Sequence, residues 1–278
     1  MQCGIAQIAF VVCVAAQPLV CGELPSEVLL LSRVRRQAVH DLSRIPNYTC
    51  LETVERSGAL SLKSALQQQD LVRIEVAEVN YHELFAWPGE KNFGNHRIQE
   101  MIPSGLTSSG EFMEHVRSVF EGGAASFHFS GNIMHRGRPA IRYDYSIGES
   151  FSGYRMTAEG YSAIVAIRGS FWASAESLAL ERLTVEAVEI PPQLGVLSAL
   201  TIIDYAPVTI NERQYVLPQS ALVSVRKLNG SVKRNTVVFT HCREYRTESI
   251  LRFESAEGST LPGPLETTAI DELPIPKV

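Results

Sequence analysis

From Pro46 onward the apolar residues of this chain recur at every second position, and that period excludes most folds. In "DLVRIEV" Val72, Ile74 and Val76 share one face, while Arg73 and Glu75 share the other. "AIRYDYSI" sets Ile141, Tyr143, Tyr145 and Ile147 against Arg142, Asp144 and Ser146. "LERLTVEA" sets Leu183, Val185 and Ala187 against Arg182, Thr184 and Glu186, and "ALVSVRK" alternates Ala221, Val223 and Val225 with polar positions. Successive side chains of a strand point to opposite faces. The pattern therefore predicts strands with one packed and one wet face, the habit of antiparallel sheets. It yields about eleven strands. Short turns such as "RGRP" (136–139) and "LNGS" (228–231) separate them.

Two segments keep the helical period instead. In 26–45, Leu31, Val34, Ala38, Leu42 and Ile45 fall on one face, and Arg33, Arg35, Arg36 and Asp41 fall mainly on the other. Ser26 is the expected N-cap, and Pro46 stops the helix. In "SSGEFMEHVRSVFEGGA", Ser108 and Glu111 have capping-box spacing. Phe112, Val116, Val119 and Phe120 form the apolar stripe, and Gly122 and Gly123 end it. The stretch before it, "KNFGNHRIQEMIPSGL", reads as a loop with a short helical turn. The expected order is helix, three strands, helix, then eight strands as a meander. The fold class is mainly β (α+β). It is one domain, a single large antiparallel sheet with few helices to cover it.

The first 22 residues carry no charged side chain, and Ile5 to Val20 are mainly apolar and small. This reads as a secretory signal peptide, cut before Gln17 or before Glu23. The mature domain then covers 23–254, and no transmembrane span remains after cleavage. From Ser255 the chain is acidic and Pro-rich without periodicity, so 255–278 reads as a disordered tail. Export points to a periplasmic or secreted protein in an oxidising space. Cleavage before Glu23 leaves Cys50 and Cys242 alone, an even count that favours a disulfide between them over two buried free thiols. Neighbouring antiparallel strands hold facing Cα atoms at disulfide distance. Strand 47–57 is therefore expected beside 236–248. The net charge of −5 supplies no general basic field for nucleic acid.

No enzymatic signature is complete. "HELFA" (82–86) has Ala86 where the zinc-protease helix needs a second His. "GESFS" (148–152) has Ser152 where a nucleophile elbow needs Gly, and no helix is expected after it. Ser224 and Lys227 in "SVRK" would point to opposite faces of a strand. The seven histidines, 40, 82, 96, 115, 128, 135 and 241, show no metal-ligand spacing and read as surface or structural residues. There is no Gly-rich phosphate loop, and no cofactor is expected. The aromatics carry more information. Phe127 and Phe129 share a strand face, Tyr143 and Tyr145 share the next, and Phe171 and Trp172 follow in "GSFWA". Their plain reading is a sheet core; the sharper one is the lining of an apolar cavity.

"GSFWASAESLALERLTVEA" resembles a hairpin of the LolA-like periplasmic lipoprotein carriers, with Trp172 ending one strand and Arg182–Leu183 near the start of the next. "IDYAPVTINERQYVLPQSALVSV" resembles a later hairpin of that family, with Leu217–Pro218 opening its second strand. Ser174 and Ala175 depart from the Asp-Pro common in the first turn. The chain from "YTC" (48–50) to "CREYR" (242–246) also resembles a group of uncharacterised secreted bacterial proteins. The resemblance implies an unclosed barrel, plugged by helices, whose concavity in carriers holds acyl chains. The expected function is non-covalent binding of a lipid or acyl chain. Its rivals are an envelope protein–protein interaction module with a filled cavity, and third a hydrolase.

Overall fold

The computed structural model describes residues 24–90, 93–94 and 96–245. Helix α1 (Ser26–Arg44) leads into β1 (Tyr48–Ala59), β2 (Gln67–Val79) and β3 (His82–Ala86). The short helices α2 (Ile98–Met101) and α3 (Glu114–Phe120) follow, then β4 (Ser126–His135), β5 (Arg138–Ile147) and the one-turn helix α4 (Glu149–Ser152). Next come β6 (Arg155–Ala158), β7 (Tyr161–Ile164), β8 (Ala166–Ser174) and β9 (Leu180–Val188). Strands β10 (Val196–Ile210), β11 (Arg213–Lys227) and β12 (Val232–Glu244) complete it. The expectations about residues 1–22 and 255–278 lie outside the described residues.

Ten strands make one antiparallel sheet in the order β3-β2-β1-β12-β11-β10-β9-β8-β5-β4. β6 and β7 form a separate hairpin that interrupts the expected meander. The sheet is not closed: β3 and β4 are its edges. The register aligns one inward row across nine strands: Phe129, Tyr143, Phe171, Leu183, Ile203, Ala221, Val237, Val54 and Val72 face one another in turn. Two-residue turns with positive φ at both positions, Asn80–Tyr81, Arg136–Gly137 and Asn211–Glu212, fix three hairpins. That is the turn geometry matching strand twist.

One glycine is required by close approach. A Cβ on Gly169 would lie 1.8 Å from the Thr184 carbonyl oxygen. The Tyr145 ring uses that space and donates its hydroxyl to the same oxygen at 2.8 Å.

Helix α1 buries Val34, Ala38 and Leu42 and packs on α3 and β11. Each large apolar side chain so buried contributes on the order of 1.5–3 kcal/mol. Ser26 is inside the helix, not its cap: Pro25 occupies the N-cap, and the Ser26 hydroxyl turns to the Glu27 carboxylate. Helix α3 starts six residues after Ser108, so Ser108 and Glu111 do not form its capping box. The segment 108–113 is instead drawn into a turn around a carboxylate from β3, described below. The stripe Phe112, Val116, Val119 and Phe120 is buried as its spacing predicts.

β1 pairs with β12, and the Cys50 and Cys242 sulfurs are joined, with Cα atoms 4.1 Å apart. The register shifts between Thr49 and Leu51, so His241 and Cys242 together face Cys50. His241 takes a left-handed φ of 52° at this bulge. The bond spans 192 residues, a closure that the chain-entropy model values at about 5 kcal/mol. Replacing both cysteines by Ala should lower unfolding stability by about 2–5 kcal/mol in urea titrations. Unchanged stability, or two titratable thiols in the unreduced protein, would refute the structural role.

Candidate functional site

The concave face divides into an aromatic half and a polar half. On β4, β5 and β8 the rings of Phe127, Phe129, Tyr143 and Phe171 form a cluster. Tyr143 stacks on Phe171 at 5.4 Å, and Phe120 of α3 meets Phe171 edge-on at 5.0 Å. Phe129 meets Tyr143 at 5.3 Å, and the Arg35 guanidinium of α1 sits 5.3 Å from the Phe127 ring. The Tyr143 hydroxyl donates to the Glu27 carbonyl at the start of α1. Five of the six aromatics expected to line a cavity therefore share this concave face: Phe127, Phe129, Tyr143, Tyr145 and Phe171. Phe120 of α3 and Arg35 of α1 pack onto this cluster. The sixth, Trp172, lies on the opposite face, since it directly follows Phe171 in β8. There it packs against His135 and beneath the Arg142 guanidinium at 5.1 Å.

The helical cover leaves a narrow seam where α1 and α3 meet the sheet. Ala38, Leu42, Met113, Val116, Leu180 and Val216 line it, with Asp41 at its margin. The cavity there is about 20 Å³, room for one or two waters and not for a chain. Tyr205 also lines the seam, and its buried hydroxyl has no hydrogen-bond partner among the described residues. The Tyr48 hydroxyl, fully buried beside Phe112, has none either. Buried polar atoms are paired in the great majority of cases, so two orphans in one interior require an explanation.

Three inward carboxyl groups accompany them. Glu83 of β3 is only half-buried by area, but its carboxylate is wrapped by the turn before α3. It accepts from the Gly110 and Met113 N–H groups at 2.9 Å each and from Glu114 N–H at 3.2 Å. These bonds favour the charged form, yet desolvation dominates and pushes its pKa up to about 7. Burial also raises Glu111 to about 7, against a hydrogen bond from Ser108. Glu52 of β1 is pushed well up, by burial first and then by Glu111 and Glu83. His115, buried and stacked on Tyr154 at 5.7 Å, is lowered to about 4 by desolvation. Nearby, Arg117 of α3 donates to the Glu78 carboxylate of β2 at 3.2 Å, a second tie between the sheet and the cover.

The enzymatic fragments are not assembled into sites. "HELFA" is strand β3, where Glu83 is spent on the turn. "GESFS" does carry a helical turn, α4, contrary to expectation, but the Ser152 hydroxyl donates to the Val165 carbonyl at 2.6 Å. Lys227 is paired with Glu159 at 2.7 Å. No group of three or more His, Cys, Asp or Glu among the described residues could hold a metal. The carboxyl cluster was missed in the sequence, although β1 carried a signal. Glu52 and Arg56 share the alternation phase of Tyr48, Cys50 and Val54, which is the inward one.

No protein-family model and no curated protein matches the chain. Among solved structures it is similar to a LolA superfamily protein from Nitrosomonas europaea. The identity is 11%, over 78% of this chain and 94% of that one, with a TM-score of 0.39. A DUF1329 family protein from Desulfovibrio piger matches at 10% identity over 77% and 92%, TM-score 0.38. The Mycobacterium tuberculosis lipoprotein LppX matches at 11% over 78% and 97%, TM-score 0.28. The distant LolA-like resemblance seen in the two hairpins recurs here. At these TM-scores neither fold nor function is assigned from it; both rest on the residues above.

The raised carboxyl groups set a pH dependence. A carboxyl whose folded pKa exceeds its unfolded value stabilises the fold fully below about pH 4.5 and loses that contribution as pH rises through about 7. Melting temperature should therefore fall between pH 5 and pH 8, by roughly 5 °C, with the lowered His115 opposing the carboxyl groups below about pH 6.5. Glu83→Gln and Glu111→Gln should each flatten the slope. A melting temperature that rises across this window would contradict the assignment.

Proposed function

We propose that the protein is an exported binding protein for an apolar ligand, a lipid or acyl chain held non-covalently between the helical cover and the concave face. The seam carries this reading. It is lined almost wholly by aliphatic side chains, and among them the Tyr205 hydroxyl has no partner among the described residues. That hydroxyl is a donor suited to an ester or acid carbonyl. The closed seam is too small for a chain, so binding requires α3 and its neighbours to move off the sheet. The ties that would yield are few: Glu83 to the 110–114 turn and Glu78 to Arg117. The bond between Cys50 and Cys242 suits an oxidising compartment such as the periplasm.

Organic extraction of protein purified from its exporting host, followed by mass spectrometry, should release lipid. A fluorescent fatty acid should bind, and Val116→Trp, which fills the seam, should weaken uptake at least tenfold. A lipid-free protein that takes up no fatty acid would sink the carrier reading.

A second reading has its own observation. A concave face filled by the chain's own side chains is what an envelope protein–protein module needs. Crosslinking to an envelope protein by lipid-free protein, undiminished in Val116→Trp, would favour it.

A further inference from the structure

Large apolar side chains stand in the open at the end of the sheet away from the disulfide. Ala59 ends β1 opposite Val232, which opens β12 and faces Arg226 near the end of β11. The β1–β2 loop (60–66) and the β11–β12 turn (228–231) therefore project past the same level of neighbouring strands. Leu60 is 88% exposed, Leu62 67% and Leu228 56%. Leu228 donates its N–H to the Gly195 carbonyl at 2.8 Å, which sets the exposed Leu197 of β10 close by. Loop tips ordinarily carry polar residues, and leucines from three adjacent connections form a patch. Both tips are structured. Ser64 N–H donates to the Ser61 carbonyl at 3.1 Å, and the two hydroxyls pair at 2.9 Å. Asn229 Oδ1 accepts from the Ser231 N–H at 3.0 Å and from its hydroxyl at 2.7 Å.

Charge marks the same end. Residues 56–69 and 226–234 contain Arg56, Lys63, Arg226, Lys227, Lys233 and Arg234, and no Asp or Glu. Arg56 is paired with Asp70 and Lys227 with Glu159. The other four have no carboxylate partner among the described residues. The whole chain has a net charge of −5, so this end reverses the sign locally. Lys233 faces Gly58 and Arg234 faces Ser57. They stand two or three residues behind Leu60, a setback of about 7–10 Å at the rise of a strand.

We propose that this end of the sheet docks on an anionic lipid bilayer, with Leu60, Leu62 and Leu228 entering the acyl boundary and the cations behind them level with the phosphates. Projecting leucines with cations set back match the layering of a bilayer, headgroups outside and acyl chains within; a folded protein surface has no such layering. Lysine and arginine stems cross apolar surface and leave their charge at the phosphates. The self-bonded serines and Asn229 bring few unpaired polar groups into the interface. This surface shares no residue with the α1–α3 seam and does not rest on the acyl-ligand reading.

Sedimentation of the full chain with vesicles tests it. With equal parts of phosphatidylcholine and phosphatidylglycerol, saturable binding is expected at about 0.1 M salt and should be largely lost at about 1 M. Pure phosphatidylcholine should bind about tenfold more weakly or worse. Leu60→Ser combined with Leu62→Ser should keep the melting temperature, because both side chains are exposed, and weaken binding about tenfold or more. Leu62→Trp should add a vesicle-dependent blue shift to the tryptophan emission, and serves if the double variant does not fold. Leu29→Ser, on the exposed side of α1, should bind like the wild type. No binding to the mixed vesicles, equal binding to pure phosphatidylcholine, an affinity unchanged in the double variant, an equal loss in Leu29→Ser, or no blue shift would each overturn the proposal. The first is the outcome expected if the partner of this end is a protein. Fatty-acid uptake measured on the same variants separates the fate of this surface from that of the seam.

Discussion

The inward row from Phe129 to Val72 is the interaction on which the rest of the structure depends. Nine strands present an apolar side chain at the same height on the concave side. A slip of one residue in any strand would turn its apolar set to water. The row therefore fixes register, and register fixes everything beyond it. It places Gly169 under Tyr145, brings Cys50 opposite the His241–Cys242 bulge, and puts Glu52 and Asn235 on the floor beneath α2. Because the sheet stays open, the row cannot be covered by the sheet itself. α1 and α3 supply the cover, and the chain carrying α2 and α3 runs from one sheet edge to the other.

The cover is attached by two kinds of contact with different consequences. Apolar contact, as between Phe120 and Phe171, is non-directional and favours closure under all conditions. The polar ties are not so simple. Glu83 receives three backbone N–H groups yet remains a costly charge because it has lost its water, which places its titration near neutrality. Among the described residues, the Tyr48 and Tyr205 hydroxyls and the Asn235 Oδ1 are also buried without partners. A sheet core shaped for stability alone would exchange these groups for hydrocarbon at little loss. Their retention where the cover meets the sheet is the physical basis for reading that boundary as the working part of the molecule.

The opposite face of the sheet shows the contrast. There Trp172 carries Arg142 on its ring, Arg182 makes a two-pronged bond to Asp204 at 2.7 and 3.0 Å, and Arg168 does the same with Glu186. Those pairs are mutually satisfied, although His135 Nε2 on the same face has no partner among the described residues. The concave groups are enclosed and only partly satisfied, and the candidate seam lies among them.

Period-two alternation determined the strands, their inward faces and the antiparallel class, because side-chain direction in a strand is a local property. The helical stripe determined which face of α1 is buried, and the two-cysteine arithmetic named Cys50 and Cys242. What lay beyond the sequence were properties set by distant neighbours. Ser108 and Glu111 have capping-box spacing, but a carboxylate from β3 receives the N-terminus of α3 instead. Trp172 was expected to line the concavity with Phe171, and there the local alternation of β8 was already enough to send it to the other face. Glu52 shares the inward phase of β1, which was legible; that Glu111 and Glu83 lie near enough to act on its carboxyl group was not. Those residues are brought together by pairing β1 with β2 and β2 with β3 and by folding the 98–113 segment over the sheet, and no local pattern encodes either.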